Sequence, residues 1–207
     1  MGDRTAFFYG TLMAPEVLYR VCHGNSNPGI SAVSNLQMRP AILHNHRRHR
    51  VRHADYPAVI PHASSTVRGT YVTGLTDADI WRLDIFEGEE YERKTVRPRL
   101  LTKVGDESGK GNVEGQEVPA ETYIWIAGEH ELEQEEWDFA EFQREKMRYW
   151  VGEQATHEYA EVDDAVRVQE NDGTRGRGLN GHISSALQEV HAKDKARKGE
   201  EPLQSAV

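Results

Sequence analysis

Hydrophobic positions along this chain recur first with the period of a strand and then with that of a helix. "FFYGTL" (Phe7 to Leu12) opens apolar and aromatic, turns at Gly10 and leads into "MAPEVLYRVC", where Pro15 suits a first helical position and Val17, Leu18 and Val21 share one face. Between residues 30 and 60 the pattern predicts two or three strands, "ISAVSNLQM", "AILHNHRRHRV" and "YPAVI", and "VRGTYVTGL" from Val67 predicts another. "TDADIWRLDIFEG" (Thr76 to Gly88) has full helix punctuation: Thr76 as N-cap, Asp77 and Asp79 in the first turn, Leu75 and Ile80 as a staple, Gly88 as the stop. "YERKTVRPRLLTKV" and "EVPAETYIWIAG" predict two strands, separated by the polar, glycine-rich "GDESGKGNVEGQ" as a flexible hairpin loop. Beyond Gly128, apolar residues three and four apart among glutamates predict an amphipathic helix from Gln134 to Val151, packed on the strand layer. From "ENDGTRGRGLNG" onward the chain reads as unstructured, with a weak helix over 182–195.

Composition sets the scale of these elements. With 207 residues and 37% hydrophobic content the chain supplies one core, which assigns residues 1–152 to a folded domain and 153–207 to a polar, partly disordered or weakly helical extension. No apolar run approaches the ~20 residues of a membrane span, and no basic-then-apolar leader is present, so the expectation is a soluble, cytoplasmic protein that does not engage a membrane. Cys22 is the only cysteine, on the apolar side of the first helix, where a thiol packs. The formal charge of −9 argues against nucleic acid as a partner, in spite of the basic run "HNHRRHRVRH" from His44 to His53. Strand alternation places His44, His46, Arg48, Arg50 and Arg52 on one face of that run. His44 and His46 could share a metal, but the adjacent arginines repel a cation; the expectation is a solvated or substrate-attracting strand and no metal site.

Two places suggest chemistry. The glycine turn of "FFYGTL" can point the amides of Gly10, Thr11 and Leu12 into the space above a strand end, an arrangement that binds anions or simply connects two elements. In "LDIFEGEEYER" four carboxylates, Asp84, Glu87, Glu89 and Glu90, crowd a helix C-terminus, where the partial negative charge disfavours anions. A glutamate just before the terminating glycine is either a solvated surface group or a carboxyl with raised proton affinity. "GDESGKG" lacks the spacing of a phosphate loop.

"FFYGTL", "YPAVI", "VRGTYV", "LDIFEGEEYER" and "AETYIW", in this order over residues 5–150, resemble the gamma-glutamylcyclotransferase-like family, and most nearly its avirulence-induced branch. The resemblance implies an α+β fold, a small mixed-strand β-barrel flanked by helices, here with a C-terminal helical extension. It implies cyclotransfer on a γ-glutamyl amine or peptide, giving 5-oxoproline and the free amine with no cofactor. By the same matching Glu87 is the general acid/base, Tyr9, Gly10, Thr11 and Leu12 form the glutamyl-binding loop, and Tyr91 and Tyr123 shape the pocket or serve as core aromatics. A different class of function on the same scaffold is a non-catalytic module that binds a small molecule or a protein, the extension leaving room for a protein partner. Removal of residues from Asn171 onward is expected to leave a folded domain, checked by thermal melting; a large fall in Tm would show that the tail docks.

Overall fold

The structure is a computed structural model in which residues 2–106, 108–151 and 159–171 are described. The chain divides into two compact units, Met1–Asp164 and Ala165–Val207, and the architecture below is that of the first. The weak helix expected over 182–195 lies outside the described residues.

Seven strands form one mixed sheet: β1 (Arg4–Phe8), β2 (Gln37–Arg50), β3 (Pro57–Leu75), β4 (Tyr91–Val96), β5 (Arg99–Lys103), β6 (Val113–Glu117) and β7 (Ala120–Trp125), in the order β4-β7-β1-β3-β2-β5-β6. Alternation in β1 sends Ala6 and Phe8 to one face and Phe7 and Tyr9 to the other. On the first face lie α1 (Pro15–His23), whose Val17, Leu18, Val21 and Cys22 are buried, and α3 (Asp77–Glu87), which buries Ile80 and Leu83. The second face packs Phe7, Tyr9, Leu43, Val59, Val67 and Leu100 against one another, which only a strongly curved sheet permits. The sheet does not close, so "barrel" describes its curvature and not a complete ring. The mixed α+β class expected from the sequence is the one observed.

Several elements depart from the sequence pattern. "ISAVSNLQM" is not a strand: Ile30–Val33 form a four-residue helix, α2, before β2 starts at Gln37. "YPAVI" and "VRGTYVTGL" are one strand of 19 residues, because β3 pairs with β2 over nearly its whole length, with the register shift at Asn45 absorbed by positive φ there and at Ser64. "YERKTVRPRLLTKV" breaks at Pro98 into β4 and β5, which go to opposite sides of the sheet. The glycine-rich hairpin loop is shorter than expected, since β6 begins at Val113. The amphipathic helix starts at Phe139 rather than Gln134 and runs as α4 (Phe139–Glu141), a π turn (Phe142–Lys146) and α5 (Met147–Val151). A last helix, α6, spans Ala160–Asn171; just before it Tyr159 is fully buried, and Val162 in its first turn is buried as well.

The α3 boundaries match their sequence punctuation. Thr76 and Asp79 form a reciprocal capping box, the Thr76 side chain accepting from the Asp79 amide and the Asp79 carboxylate from the Thr76 amide. Gly88 ends the helix at φ 68°, ψ −162°, a region open almost only to glycine, and donates its N–H to the Asp84 carbonyl. A Cβ at Gly88 would meet no atom within 4 Å, so the requirement is purely one of backbone conformation. Gly88→Ala is expected to cost about 1–3 kcal/mol in urea unfolding; a loss below about 0.5 kcal/mol would mean that the turn relaxes without strain.

Candidate active site

A cavity of about 270 Å³ opens where the end of β1 meets the end of α3. Its floor is the end of β1 and the turn after it, Phe7 to Leu12; one wall is the end of α3, with Phe86 and Glu87, and another is Tyr91 and Tyr123 from β4 and β7. Tyr9, Gly10, Thr11, Leu12, Glu87, Tyr91 and Tyr123, all nominated from the sequence, line this one space.

The turn is built by two hydrogen bonds, Met13 N–H to the Gly10 carbonyl and Ala14 N–H to the Thr11 carbonyl. That leaves the N–H groups of Gly10, Thr11 and Leu12 as the ones the turn does not use, with no side chain capping them. Gly10 has a negative φ of −127°, so a left-handed backbone is not what requires glycine here. The close approach of β3 does: a Cβ at Gly10 would lie 2.7 Å from Pro57 Cγ.

Glu87 is the last residue of α3, and its carboxyl faces the cavity with Tyr9, Tyr91 and Tyr123 around it. Among the described residues no donor reaches it. Burial pushes its pKa up to about 8, and the Asp84 carboxylate one helical turn earlier adds to the rise. Among the described residues no lysine or arginine lines the cavity. Each of the three tyrosines donates to the protein: Tyr9 Oη to the Tyr123 carbonyl, Tyr91 Oη to the Pro57 carbonyl at 3.0 Å, and Tyr123 Oη to Asp84 at 2.9 Å. Burial holds all three well above the usual phenol range, and the Glu87 charge contributes to each, so they remain neutral.

Just outside, Arg93 Nε pairs with Asp84 at 2.9 Å, and its Nη1 meets Glu121. Arg93 therefore pairs with Asp84 without reaching the cavity lining. Glu89 lies away from the lining, whereas the exposed Glu90 reaches it and accepts from Tyr56 Oη at 3.3 Å.

Sequence reasoning missed the outer wall: Tyr56, Trp150, Glu161 and Val162. Tyr56 lay within "YPAVI" and Trp150 within the aromatic helix pattern, so each carried a signal without a role. Glu161 and Val162 carried none, since they fall past the last apolar stripe. Behind them Tyr159 stacks on Phe86 with ring centroids 5.8 Å apart, and Arg20 lies 4.6 Å over the Tyr159 ring while forming two hydrogen bonds with Asp163.

The arginines of the basic run, expected as a solvated or substrate-attracting strand, are engaged by another part of the chain. They dock the acidic segment 129–141: Arg47 Nη2 donates to the Gln134 carbonyl, Arg48 pairs with Glu136, Arg50 with Glu141, and Arg52 Nε donates to the His130 carbonyl. His44 contacts Glu114, and His46 Nδ1 lies 2.9 Å from the His44 carbonyl, so the two imidazoles do not converge. Among the described residues no group of three or more His, Cys, Asp or Glu is placed to hold a metal ion. None of the described helices is long and apolar enough to cross a membrane.

Residues 6–139 match the family described as gamma-glutamyl cyclotransferase, AIG2-like. The chain belongs to this family. Curated relatives in Arabidopsis thaliana include Protein AIG2 C, 29% identical over 140 residues covering 68% of this chain and 72% of that protein. AIG2-like protein D is 32% identical over 157 residues, covering 76% and 89% respectively. A solution structure of another Arabidopsis thaliana protein aligns with 84% of this chain and 95% of its own at 22% identity, with a TM-score of 0.48. In this member of the gamma-glutamyl cyclotransferase, AIG2-like family, the matched segment holds the glycine turn, Glu87, Tyr91 and Tyr123, and ends before Trp150, Glu161 and Val162.

The pKa of Glu87 has a measurable consequence for stability. Its folded value near 8 stands above the ordinary 4.5, so between these values the folded chain holds a proton that the unfolded chain has lost. The contribution is fully present below pH 4.5 and is lost as pH rises through 8. Glu87→Gln removes this dependence. In urea titrations the variant is expected to match the parent near pH 4 and to exceed it at pH 9, by a few multiples of the ~1.4 kcal/mol that one pKa unit represents. A difference independent of pH would contradict the raised pKa.

Proposed function

We propose that the protein is a cofactor-independent cyclotransferase acting on a γ-glutamyl amine or peptide. The observation that carries this reading is Glu87: a carboxyl with no partner among the described residues, set among neutral tyrosines and lining one cavity with the turn whose three N–H groups are unused. A solvated, outward Glu87 would have favoured the non-catalytic binding module; its place in the cavity lining supports the catalytic reading.

The substrate carries its own nucleophile, so the protein has to fold it, deprotonate it and stabilise the charge that develops. Glu87 accepts a proton from the α-ammonium. With a pKa of about 8 it is matched to an α-amino group, whose ordinary pKa is about 8, so the transfer is nearly balanced in either direction. The freed amine attacks the γ-carbonyl carbon and forms the ring C–N bond. The resulting tetrahedral oxyanion and the substrate α-carboxylate draw on the N–H groups of Gly10, Thr11 and Leu12. Glu87 returns its proton to the leaving nitrogen as the tetrahedral state collapses and the C–N bond to it breaks; the ionised Glu87 then takes the second proton from the ring nitrogen, leaving the lactam N–H, and passes it to the released amine, so that 5-oxoproline and the ammonium product depart. Tyr91 and Tyr123 shape the glutamyl space while their hydroxyls stay engaged with the protein. At the outer wall the carboxylates of Glu90 and Glu161 favour leaving groups that bear no carboxylate.

The test is release of 5-oxoproline from γ-glutamyl amino acids, γ-glutamylamines and glutathione, followed by mass spectrometry without added metal. Glu87→Gln is expected to fold and to lower turnover by roughly 10²- to 10⁴-fold, with KM changed far less. Glu89→Gln is the control and should alter turnover by no more than a few-fold. Near-parental turnover in Glu87→Gln would remove it from the mechanism; inactivity of the folded parent on every substrate would favour the binding module.

A further inference from the structure

The glycine turn has a buried cation behind it. Arg48, on β2, has a side chain only 11% exposed, and it does not line the cavity. Its Nη1 donates to the Tyr9 carbonyl at 2.9 Å and reaches the Arg68 carbonyl at 3.4 Å, while Nη2 donates to Glu136 at 2.9 Å. The guanidinium carbon lies 5.5 Å from the centre of the Trp137 ring. The other arginines of the run face the docked segment; Arg48 alone among them also grips the turn.

The contact with Tyr9 matters because the Tyr9 carbonyl and the Gly10 N–H belong to one peptide group. A cation hydrogen-bonded to the carbonyl oxygen fixes the plane of that peptide and draws electron density from it, which makes the Gly10 N–H a stronger donor. We propose that Arg48 is a positioning residue for the substrate α-carboxylate, acting through the Tyr9–Gly10 peptide that it orients and polarises. The proposal rests on the cavity being a glutamyl site.

Placement behind the peptide resolves a conflict in the cavity. A cation among the lining residues would pair with a substrate carboxylate, but it would also hold Glu87 ionised and lower its proton affinity. Arg48 is not among the charges that act on Glu87, whereas it does act on Tyr9. The anion thus receives favourable potential from one side while the carboxyl on the other keeps its raised proton affinity.

Calorimetric titration of L-glutamine and of its α-carboxamide analogue into the parent, Arg48→Gln and Arg48→Lys separates this role from a merely structural one. Both ligands carry the γ-amide and the α-amine, and only the first carries the carboxylate. Arg48→Gln is expected to weaken L-glutamine by roughly 10- to 100-fold, the scale of one hydrogen bond to a charged group. The carboxamide should stay within about two-fold, and Arg48→Lys, which keeps a charge without the planar fork, should fall between. Equal weakening of both ligands, or unchanged L-glutamine binding in a folded variant, would overturn the proposal. Should Arg48→Gln not fold, the same comparison in Arg48→Lys decides. A parent that binds neither ligand overturns it too. The cyclotransferase reading stands or falls separately, on 5-oxoproline release by the parent.

Discussion

Four arginines in the six positions from Arg47 to Arg52 are a local electrostatic burden, and the structure relieves it by laying an acidic segment across them. Main-chain bonds lock the two together: Arg50 N–H to the Glu135 carbonyl, Glu133 N–H to the Arg50 carbonyl, Arg52 N–H to the Glu131 carbonyl, and a bridge between Val51 and Leu132. The segment then delivers Trp137 and Phe142 to the core, with ring centroids 5.5 Å apart, and Phe142 meets Trp150 edge-on at 5.7 Å. Trp150 is a wall of the cavity, and its carbonyl accepts from Tyr159 Oη at 2.8 Å. The outer wall of the site therefore depends on charge pairing on the far arm of the β2–β3 hairpin. Individual surface ion pairs are weak, so this dependence works through the half-buried members, Arg48 and Arg50, and through the aromatic surface that the segment buries.

Part of this was legible. The α3 helix could be read because its signals are local: a cap, an acidic first turn, a staple and a glycine at φ 68° all act within a few residues of the chain. The glycine turn and Glu87 stood out locally, each at a boundary between elements, but local signals left their roles open, and only the family resemblance implied that they share a site. Strand pairing was not. Periodicity reports which face a residue takes, not which strand lies beside it, so nothing in "YERKTVRPRLLTKV" says that its halves separate to opposite sides of the sheet at Pro98. The basic run shows the limit most clearly. Its charge pattern is equally that of a solvated strand and of one waiting for an acidic partner some 80 residues away, and only the fold distinguishes them.

The cavity's chemistry comes from what its lining omits. Glu87 has a raised proton affinity because its carboxyl is desolvated and because the nearby charge, Asp84, has the same sign. Arg93 is close enough to pair with Asp84 and yet does not reach the lining. The three tyrosines supply polar rims, but their hydroxyl protons are committed to Tyr123, Pro57 and Asp84, which keeps them from stabilising a carboxylate at Glu87. A carboxyl in such surroundings lowers the stability of the folded state at alkaline pH, and the same surroundings give it a proton affinity close to that of an amine.

On the proposed reading the site holds an anion beside a carboxyl of high proton affinity, and it has to keep the two electrostatic environments apart. Backbone amides achieve that separation where a side-chain cation would not, since a dipole falls off faster with distance than a charge and its direction is fixed by the fold. The turn after β1 is fixed from both sides, by Pro57 packed against Gly10 and by Arg48 bonded to the Tyr9 carbonyl. β3 carries the first contact and β2 the second, and these strands form one continuous antiparallel pair. The end of the hairpin that holds Arg48 and Pro57 thus fixes the turn that carries the donors and also docks the segment that leads to the aromatic wall, so one secondary-structure unit supports both.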